Sequence, residues 1–202
     1  MMFNMVLLIV LCYLLGSIPF GYIIVKLTKG VDVRQLGSQS TGATNVLRVS
    51  GKTASVVVLL LDVFKGYLAV GLANYFTLSP GTVDLAKIIA AFSVIIGHSW
   101  PVFLNFRGGK SVATGFGAFL GIMPVPAIIS LAVFIIIVAI TGFVSLGSII
   151  AVSLMPVYCI SYGKQPSFIL IALIIALVII IRHKNNIKRL ISGTENKIGN
   201  RN

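Results

Sequence analysis

The chain has 202 residues, of which 57% are hydrophobic and only 10% charged, and its mean hydropathy is +1.06. A water-soluble globule of this length cannot cover so much apolar surface, which excludes a soluble enzyme and predicts an all-α integral membrane protein. The net charge of +12, from 16 Lys and Arg against 4 Asp and Glu, is unevenly placed, and the placement carries the topology.

Residues 4–25 are the first predicted span, matching the ~20 apolar residues needed to cross a hydrocarbon core. The first lysine, Lys26, follows that run. The start therefore lacks the basic leader of a cleaved signal peptide and is expected to be a retained helix. Further spans are predicted at 54–76, 88–104, 112–123, 125–141, 144–160 and 167–181, followed by a basic tail at 182–202. Together they form a single membrane domain over residues 1–202.

Charge placement orients these segments. Lys26, Lys29, Arg34, Arg48 and Lys52 lie in the first connection, Arg107 and Lys110 in the third. Arg182, Lys184, Lys188, Arg189, Lys197 and Arg201 lie in the tail. The positive-inside rule puts all three regions in the cytoplasm and the N-terminus outside. An even number of crossings must then separate each pair, so the apolar stretch 112–140 has to be divided. Pro124 and Pro126 supply the physical reason, since each removes a helical N–H and clashes with the preceding turn. The result is about seven transmembrane helices, some short or re-entrant, because 112–123 is too short to cross unaided. Cys12 and Cys159 fall in apolar segments and are expected to pack.

Polar residues gather at the predicted cytoplasmic ends. In the first connection, Gly37-Ser-Gln-Ser-Thr-Gly-Ala-Thr-Asn-Val-Leu-Arg48 combines glycines with hydroxyl and amide donors. Small residues let backbone N–H groups converge on an anion, Ser38, Ser40, Thr41, Thr44 and Asn45 add donors, and Arg48 offers a planar fork. The alternative is a plain polar connection. In the third, Gly108-Gly109-Lys110 precedes a helix start, where free N–H groups, a positive helix dipole and an ammonium meet. The spacing is not that of a Walker loop. At the end of the chain, Ser145 and Ser148 follow Thr141-Gly142. If the last span continues as helix, His183 and Asn186 share a face. Read alone, His183 is an interfacial residue beside basic anchors, and the tail a contact for anionic lipid.

Asp62 and Lys65 lie inside the second span, where ionisable groups are costly, and their i, i+3 spacing suits a buried structural pair. Few carboxylates remain for acid–base work. There is no G-x-S-x-G, no HxxxxD at His98 or His183, and no CxxC or HExxH, so no metal or other cofactor is expected. The donor-rich clusters suit phosphate-bearing substrates and membrane lipid, and no nucleic-acid partner is expected.

The order Gly16-Ser-Ile-Pro-Phe-Gly21, Gly37-Ser38, Gly42-Ala-Thr-Asn45 with Arg48, Gly97-His98, Pro101-Val-Phe103, Gly108-Gly-Lys110, Val112-Ala-Thr114, Ser145-Leu146, then His183, Asn186-Ile187, Arg189-Leu190 and Gly193-Thr-Glu195 resembles the bacterial acyl-phosphate:glycerol-3-phosphate acyltransferase family, PlsY. The match runs from residue 16 to residue 195. The resemblance implies a multi-pass enzyme of the bacterial cytoplasmic (inner) membrane, its site facing the cytoplasm. It would move a fatty acyl group from acyl phosphate to the 1-hydroxyl of glycerol 3-phosphate, giving lysophosphatidic acid and phosphate, the first acylation of phospholipid synthesis. It further implies that Arg48, Lys110, Ser145, His183 and Asn186 hold glycerol 3-phosphate, with Ser145, His183 and Asn186 at the chemistry. Gly37, Ser38, Gly42, Thr44, Asn45, Gly108 and Gly109 would line the acyl phosphate site, and Glu195 would be structural.

The chain departs from the family pattern at two places. Gln39-Ser40 follow the first Gly-Ser where Gly-Asn is common, and Ser111 follows Gly-Gly-Lys where Gly is common. Glutamine takes φ > 0 less readily than glycine, so either the loop keeps an ordinary backbone there or its geometry shifts. Neither Gln39 nor Ser40 is counted among the ligands. Catalysis is expected to work by positioning and charge stabilisation without a covalent intermediate, the proton passing to the substrate's phosphate or to His183. The rival class is a membrane transporter for a phosphorylated solute, which would also use basic loops and an intramembrane ion pair. Against it, the halves show no evident repeat and the donors cluster at one face.

Overall fold

The structure, a computed structural model, describes residues 2–76 and 80–198. Arg201, in the predicted basic tail, lies outside the described residues. Every regular element among them is helical. Among them five helical segments, with Phe3–Lys29 taken as one, are long and apolar enough to cross a membrane, six if a bent pair near the end counts as one, and one apolar helix is shorter. The chain divides into two compact units, residues 1–122 and 123–202.

The first predicted span is not one continuous helix. α1 covers Met2–Ser17 and α2 covers Phe20–Lys29, with the break at Ile18-Pro19. Proline has no N–H to give and disfavours helix at the residue before it. α2 then ends on Gly30, left-handed at φ 72°, whose N–H reaches the Lys26 carbonyl, the usual αL stop. α1 crosses α4 (Val83–Ser99) at two glycines. A Cβ on Gly16 would lie 2.2 Å from the Val94 carbonyl oxygen, and one on Gly97 2.2 Å from that of Tyr13. Close backbone approach of this kind is the usual means of packing helices where lipid offers no hydrophobic drive.

α3 spans Ala43–Phe76, but Gly51, at φ 84° and ψ −174°, is not helical. Twelve residues of straight helix would separate Ala43 from Ser55 by ~18 Å. Instead Ser55 Oγ donates to the Ala43 carbonyl at 2.9 Å. The chain therefore turns back on itself at Gly51, and the predicted first connection contains a short helix carrying Thr44, Asn45 and Arg48. Beneath it Val25, Val33, Val46, Ala54 and Val58 form a small core, flanked by Tyr22, Ile24, Ala43 and Val49.

α5 is Val112–Ile122, ~16 Å at 1.5 Å per residue, about half the hydrocarbon thickness. It meets α3 through Gly66 and Gly117, where added Cβ atoms would fall 2.0 Å from the Thr114 and 1.9 Å from the Val63 carbonyl oxygens.

In the second unit α6 (Pro124–Thr141) begins on proline, preceded by the extended Met123, and stops at Gly142, φ 78°. α7 is Val144–Ser161 and α8 is Pro166–Arg182. The chain does continue as helix past residue 182, but α9 (Lys184–Ile191) leaves α8 at a bend of 60°. His183 supplies a local reason. Its Nδ1 lies 2.8 Å from the Ile179 carbonyl, which its own N–H would occupy in an α-helix, and that N–H turns to Ile180 instead. A side chain taking a ladder carbonyl bends the helix.

Candidate active site

In the first unit the glycine-rich loop is built around one side chain. Asn45 is 1% exposed. Its Oδ1 accepts the Ser38 N–H at 2.8 Å, while Nδ2 donates toward the carbonyls of Val33 (3.1 Å), Leu36 (3.0 Å) and Ser40 (2.9 Å). The donor and acceptor pattern permits only this amide orientation. Gly37, at φ 56°, comes so close that a Cβ would lie 2.3 Å from Asn45 Oδ1. Asn45 and the Ser38 N–H are spent within the loop, so Asn45 shapes the site instead of lining it as a ligand. Ser38 is exposed, Gly42 and Thr44 are half-buried, and Thr44 and Arg48 stand four residues apart on one face of the short helix, with Arg48 exposed. The helix start after Gly42 presents first-turn N–H groups and a positive dipole end.

Gln39 takes the left-handed conformation at φ 58°, as does Ser111 at φ 61°. Both departures from the family pattern therefore keep a backbone that suits glycine, and an ordinary backbone at Gln39 is not what the loop adopts. Asp32 caps the turn Val33–Gln35 by accepting the Arg34 N–H at 2.9 Å and pairs with the Arg34 fork at 2.7 Å. That fork holds its carboxyl below the ordinary value. Arg34 also stacks 5.4 Å over Tyr22 and donates to the Leu104 carbonyl at 3.2 Å, tying the first connection to the third.

The Gly108-Gly109-Lys110 turn sits against the end of α4. The Gly109 N–H donates to the His98 carbonyl at 3.1 Å. That N–H is thus engaged within the fold. Added Cβ atoms would meet the His98 carbonyl oxygen at 2.2 Å from Gly108, and His98 Nε2 at 2.2 Å and Thr41 Oγ1 at 3.2 Å from Gly109. The fold thus brings the glycine-rich loop and the Gly-Gly-Lys turn side by side, with Lys110 half-buried beside them. Ser111 Oγ is 2.9 Å from the Ile95 carbonyl and 2.7 Å from Ser99 Oγ.

Below this surface lies a buried polar chain. Lys65 Nζ is 2.8 Å from Asp62 Oδ1 and donates to the Ile18 carbonyl at 2.9 Å, at the α1–α2 break. Asp62 Oδ1 is 3.5 Å from His98 Nδ1, itself 3.1 Å from Thr114 Oγ1. The i, i+3 spacing of Asp62 and Lys65 foretold their pairing. His98, 36 positions away along the chain, carried no local signal as their third member.

In the second unit Glu195 is the centre of a polar knot. It accepts from Ser145 Oγ at 2.7 Å and Asn186 Nδ2 at 2.6 Å on one oxygen, and from Arg189 Nε at 2.7 Å on the other. Burial pushes this carboxyl up, but the hydrogen bonds from Asn186, Ser145 and Arg189 outweigh it and hold the group below its ordinary value. Ser145 and Asn186 are thereby brought together, while His183, 2% exposed, caps α8 from its own turn. A carbonyl can only accept, so His183 Nδ1 carries the proton in this bond, and in the neutral ring Nε2 is the basic nitrogen. Ser148 turns instead to the Val144 carbonyl. Among the described residues no group of three or more His, Cys, Asp or Glu is arranged to hold a metal ion.

A helical, multi-pass membrane protein with donor-rich clusters is the class these features define. A family profile described as glycerol-3-phosphate acyltransferase matches residues 6–193. Curated relatives named glycerol-3-phosphate acyltransferase include one from Synechococcus sp. (strain CC9902), 43% identical over 98% of both chains. Another, from Clostridioides difficile (strain 630), is 44% identical over 98% of this chain and 97% of its own. Two crystal structures of PlsY (YgiH), an integral membrane glycerol 3-phosphate acyltransferase, are similar in fold. The glycerol 3-phosphate form superposes with a TM-score of 0.90 at 38% identity, covering 96% of each chain. The lysophosphatidic acid form superposes with a TM-score of 0.87 at 37% identity, covering 96% of this chain and 95% of its own. The chain belongs to the glycerol-3-phosphate acyltransferase family.

Proposed function

We infer that the protein is an acyltransferase of the bacterial cytoplasmic membrane that moves a fatty acyl group from acyl phosphate to the 1-hydroxyl of glycerol 3-phosphate. The observation that carries this reading is the Asn45-braced loop lying beside the Gly-Gly-Lys turn, in a chain of which 96% follows the fold of a glycerol 3-phosphate acyltransferase. The basic connections mark the cytoplasmic face by the positive-inside rule. There a lipid-soluble donor, its tail among the helices, meets a water-soluble acceptor. Arg48, Lys110, Ser145, His183 and Asn186 serve glycerol 3-phosphate, with Ser145, His183 and Asn186 nearest the chemistry. The loop residues Gly37, Ser38, Gly42 and Thr44, with Gly108, serve the acyl phosphate.

Acyl phosphate is already activated. The acceptor hydroxyl attacks the acyl carbonyl, a C–O bond forms, and the bond to phosphate breaks as inorganic phosphate leaves. Cationic and N–H donors neutralise the departing charge, and fixing the two substrates can contribute roughly 7–11 kcal/mol. The hydroxyl proton passes to the leaving phosphate or to Nε2 of His183. Replacing His183→Gln and following rate against pH separates the two routes, since loss of a histidine limb together with most of the rate identifies the imidazole as the base.

The reading is tested by purified protein in detergent, with phosphate release from palmitoyl phosphate measured with and without glycerol 3-phosphate and with acyl-CoA supplied in a parallel reaction. Release that requires glycerol 3-phosphate, with lysophosphatidic acid formed and acyl-CoA inert, is the expected result. Turnover of acyl-CoA instead would overturn the donor assignment.

A further inference from the structure

We propose that His98 is a positioning residue, the wall against which the Gly108-Gly109-Lys110 turn is set. It is held in place by Asp62 and Thr114 from within the helix bundle. This rests on the reading that Lys110 serves glycerol 3-phosphate, and it assigns His98 a part in that task without contact with substrate.

The geometry is two-sided. Facing the turn, the His98 carbonyl accepts the Gly109 N–H at 3.1 Å, and the ring lies so near that only glycine fits at residue 109, a Cβ there falling 2.2 Å from Nε2. The same carbonyl leaves no room for a side chain at residue 108. Facing the interior, Nδ1 stands 3.1 Å from Thr114 Oγ1 and 3.5 Å from Asp62 Oδ1. Asp62 is in turn paired with Lys65, which is anchored on the Ile18 carbonyl at the α1–α2 break. Turning the ring would give up its buried hydrogen bond with Thr114 and its contact with Asp62, which is costly in such surroundings. The ring is carried on α4 and held from α3 and α5, with Lys65 reaching the α1–α2 break, and the ring fixes the turn.

Lysine is a flexible point charge, and what the fold can control is where its backbone starts. A shift of the turn by about 1 Å is enough to cost on the order of a hundredfold in a reaction that works by alignment. The chain also spends two ionisable groups inside a membrane segment, where they are expensive and need a reason. Asp62 is 2% and Lys65 1% exposed, so neither is available to a substrate, and fixing the ring of His98 supplies the reason.

The test measures initial rates of glycerol 3-phosphate-dependent phosphate release from palmitoyl phosphate for wild type, His98→Ala and Thr114→Val. A nitroxide on Arg107→Cys, an exposed position at the turn, is recorded in each background. Loss of the wall is expected to lower kcat/KM for glycerol 3-phosphate about a hundredfold, with about a tenfold rise in KM, and to sharpen the nitroxide spectrum. Thr114→Val removes one bond to Nδ1 while keeping shape, and about a fivefold rise in the same KM is expected. A purely structural role would lower the yield of active enzyme and leave KM alone. Unchanged KM in both variants, or an unchanged label spectrum in His98→Ala, overturns the proposal. Wild-type protein without glycerol 3-phosphate-dependent turnover would instead overturn the assigned reaction, while the label still decides whether His98 holds the turn.

Discussion

Asn45→Asp is the most economical probe of the glycine-rich loop, because it changes almost no volume and replaces one donor group by an acceptor that is charged when ionised. In the native loop Nδ2 faces three carbonyl oxygens at 2.9–3.1 Å. An ionised aspartate would put a charged acceptor in their midst. Two N–H donors are lost at about 1 kcal/mol each, and carbonyls left without partners in a site 1% exposed add about 1–3 kcal/mol. The loop is thus destabilised by roughly 3 kcal/mol or more, which at 1.4 kcal/mol per decade lowers the ratio of its ordered to disordered forms at least about a hundredfold. The rate of glycerol 3-phosphate-dependent phosphate release should fall with it, while the membrane helices remain folded. A carboxyl crowded by oxygens is pushed up in pKa, and its protonated form regains one donor. Activity relative to wild type should therefore recover in part as pH is lowered. A variant that keeps a rate within about threefold of wild type at neutral pH would refute the bracing role of Asn45.

Four further outcomes follow from the geometry. The carboxyl of Glu195 is held below its ordinary value of 4.5, so its stabilisation is complete above that pH and is lost as pH falls through the lower folded value. Thermal scans between about pH 3 and 7 should show that acid limb in wild type and not in Glu195→Gln, which is less stable at neutral pH. Gly117→Ala drives a methyl to 1.9 Å from the Val63 carbonyl and should cost about 1–3 kcal/mol, whereas Gly121→Ala meets only side chains, Val70 at 3.2 Å and Tyr67 at 3.5 Å, and should cost less. Arg48→Ala and Lys110→Ala should each raise KM for glycerol 3-phosphate by tenfold or more on the order of a lost charged hydrogen bond, and unchanged kinetics in both would remove that assignment. Gln39→Gly relieves a left-handed backbone and should raise the melting temperature by an amount worth up to about 1 kcal/mol, less the entropy glycine adds to the unfolded chain.

Membrane spans are legible in a sequence because twenty apolar residues have few other uses, and Pro124 announces a break that hydropathy alone hides. Pro19 carried the same message, yet the apolar run continues on both sides of it, so a window reads one span where the backbone makes two helices. The short helix before Gly51 is masked in the opposite sense. Its glycine, serine and threonine neighbours read as loop, although Ala43, Val46 and Val49 recur at three-residue intervals and pack on the same small core. Asp62 and Lys65 could be paired from their spacing because a helix relates them. His98 meets Asp62 by the way two helices cross, and Glu195 meets Ser145 because the irregular segment after α9 folds back onto α7, and no local pattern encodes either. At His183 the sequence placed the right residue on the helix but not the bend, which arises from its side chain taking a ladder carbonyl.

Gln39 and Ser111, two of the left-handed residues that are not glycine, show how such a shape survives substitution. Left-handed backbone costs an ordinary side chain roughly 1–2 kcal/mol. At Ser111 the hydroxyl returns that cost, because it donates to the Ile95 carbonyl and meets Ser99 within a buried site, and glycine there would leave both unfilled. At Gln39 the side chain is exposed, and the conformation is imposed from outside: the Gln39 N–H closes on the Leu36 carbonyl at 3.0 Å, and Asn45 grips the residues on either side of it. One position is held by its own side chain and the other by its neighbours. Ser111→Gly should therefore destabilise where Gln39→Gly stabilises. The contrast in sign, measured by thermal unfolding in one detergent, separates local compensation from strain borne by the loop, and equal shifts in the same direction would show that neither account is right.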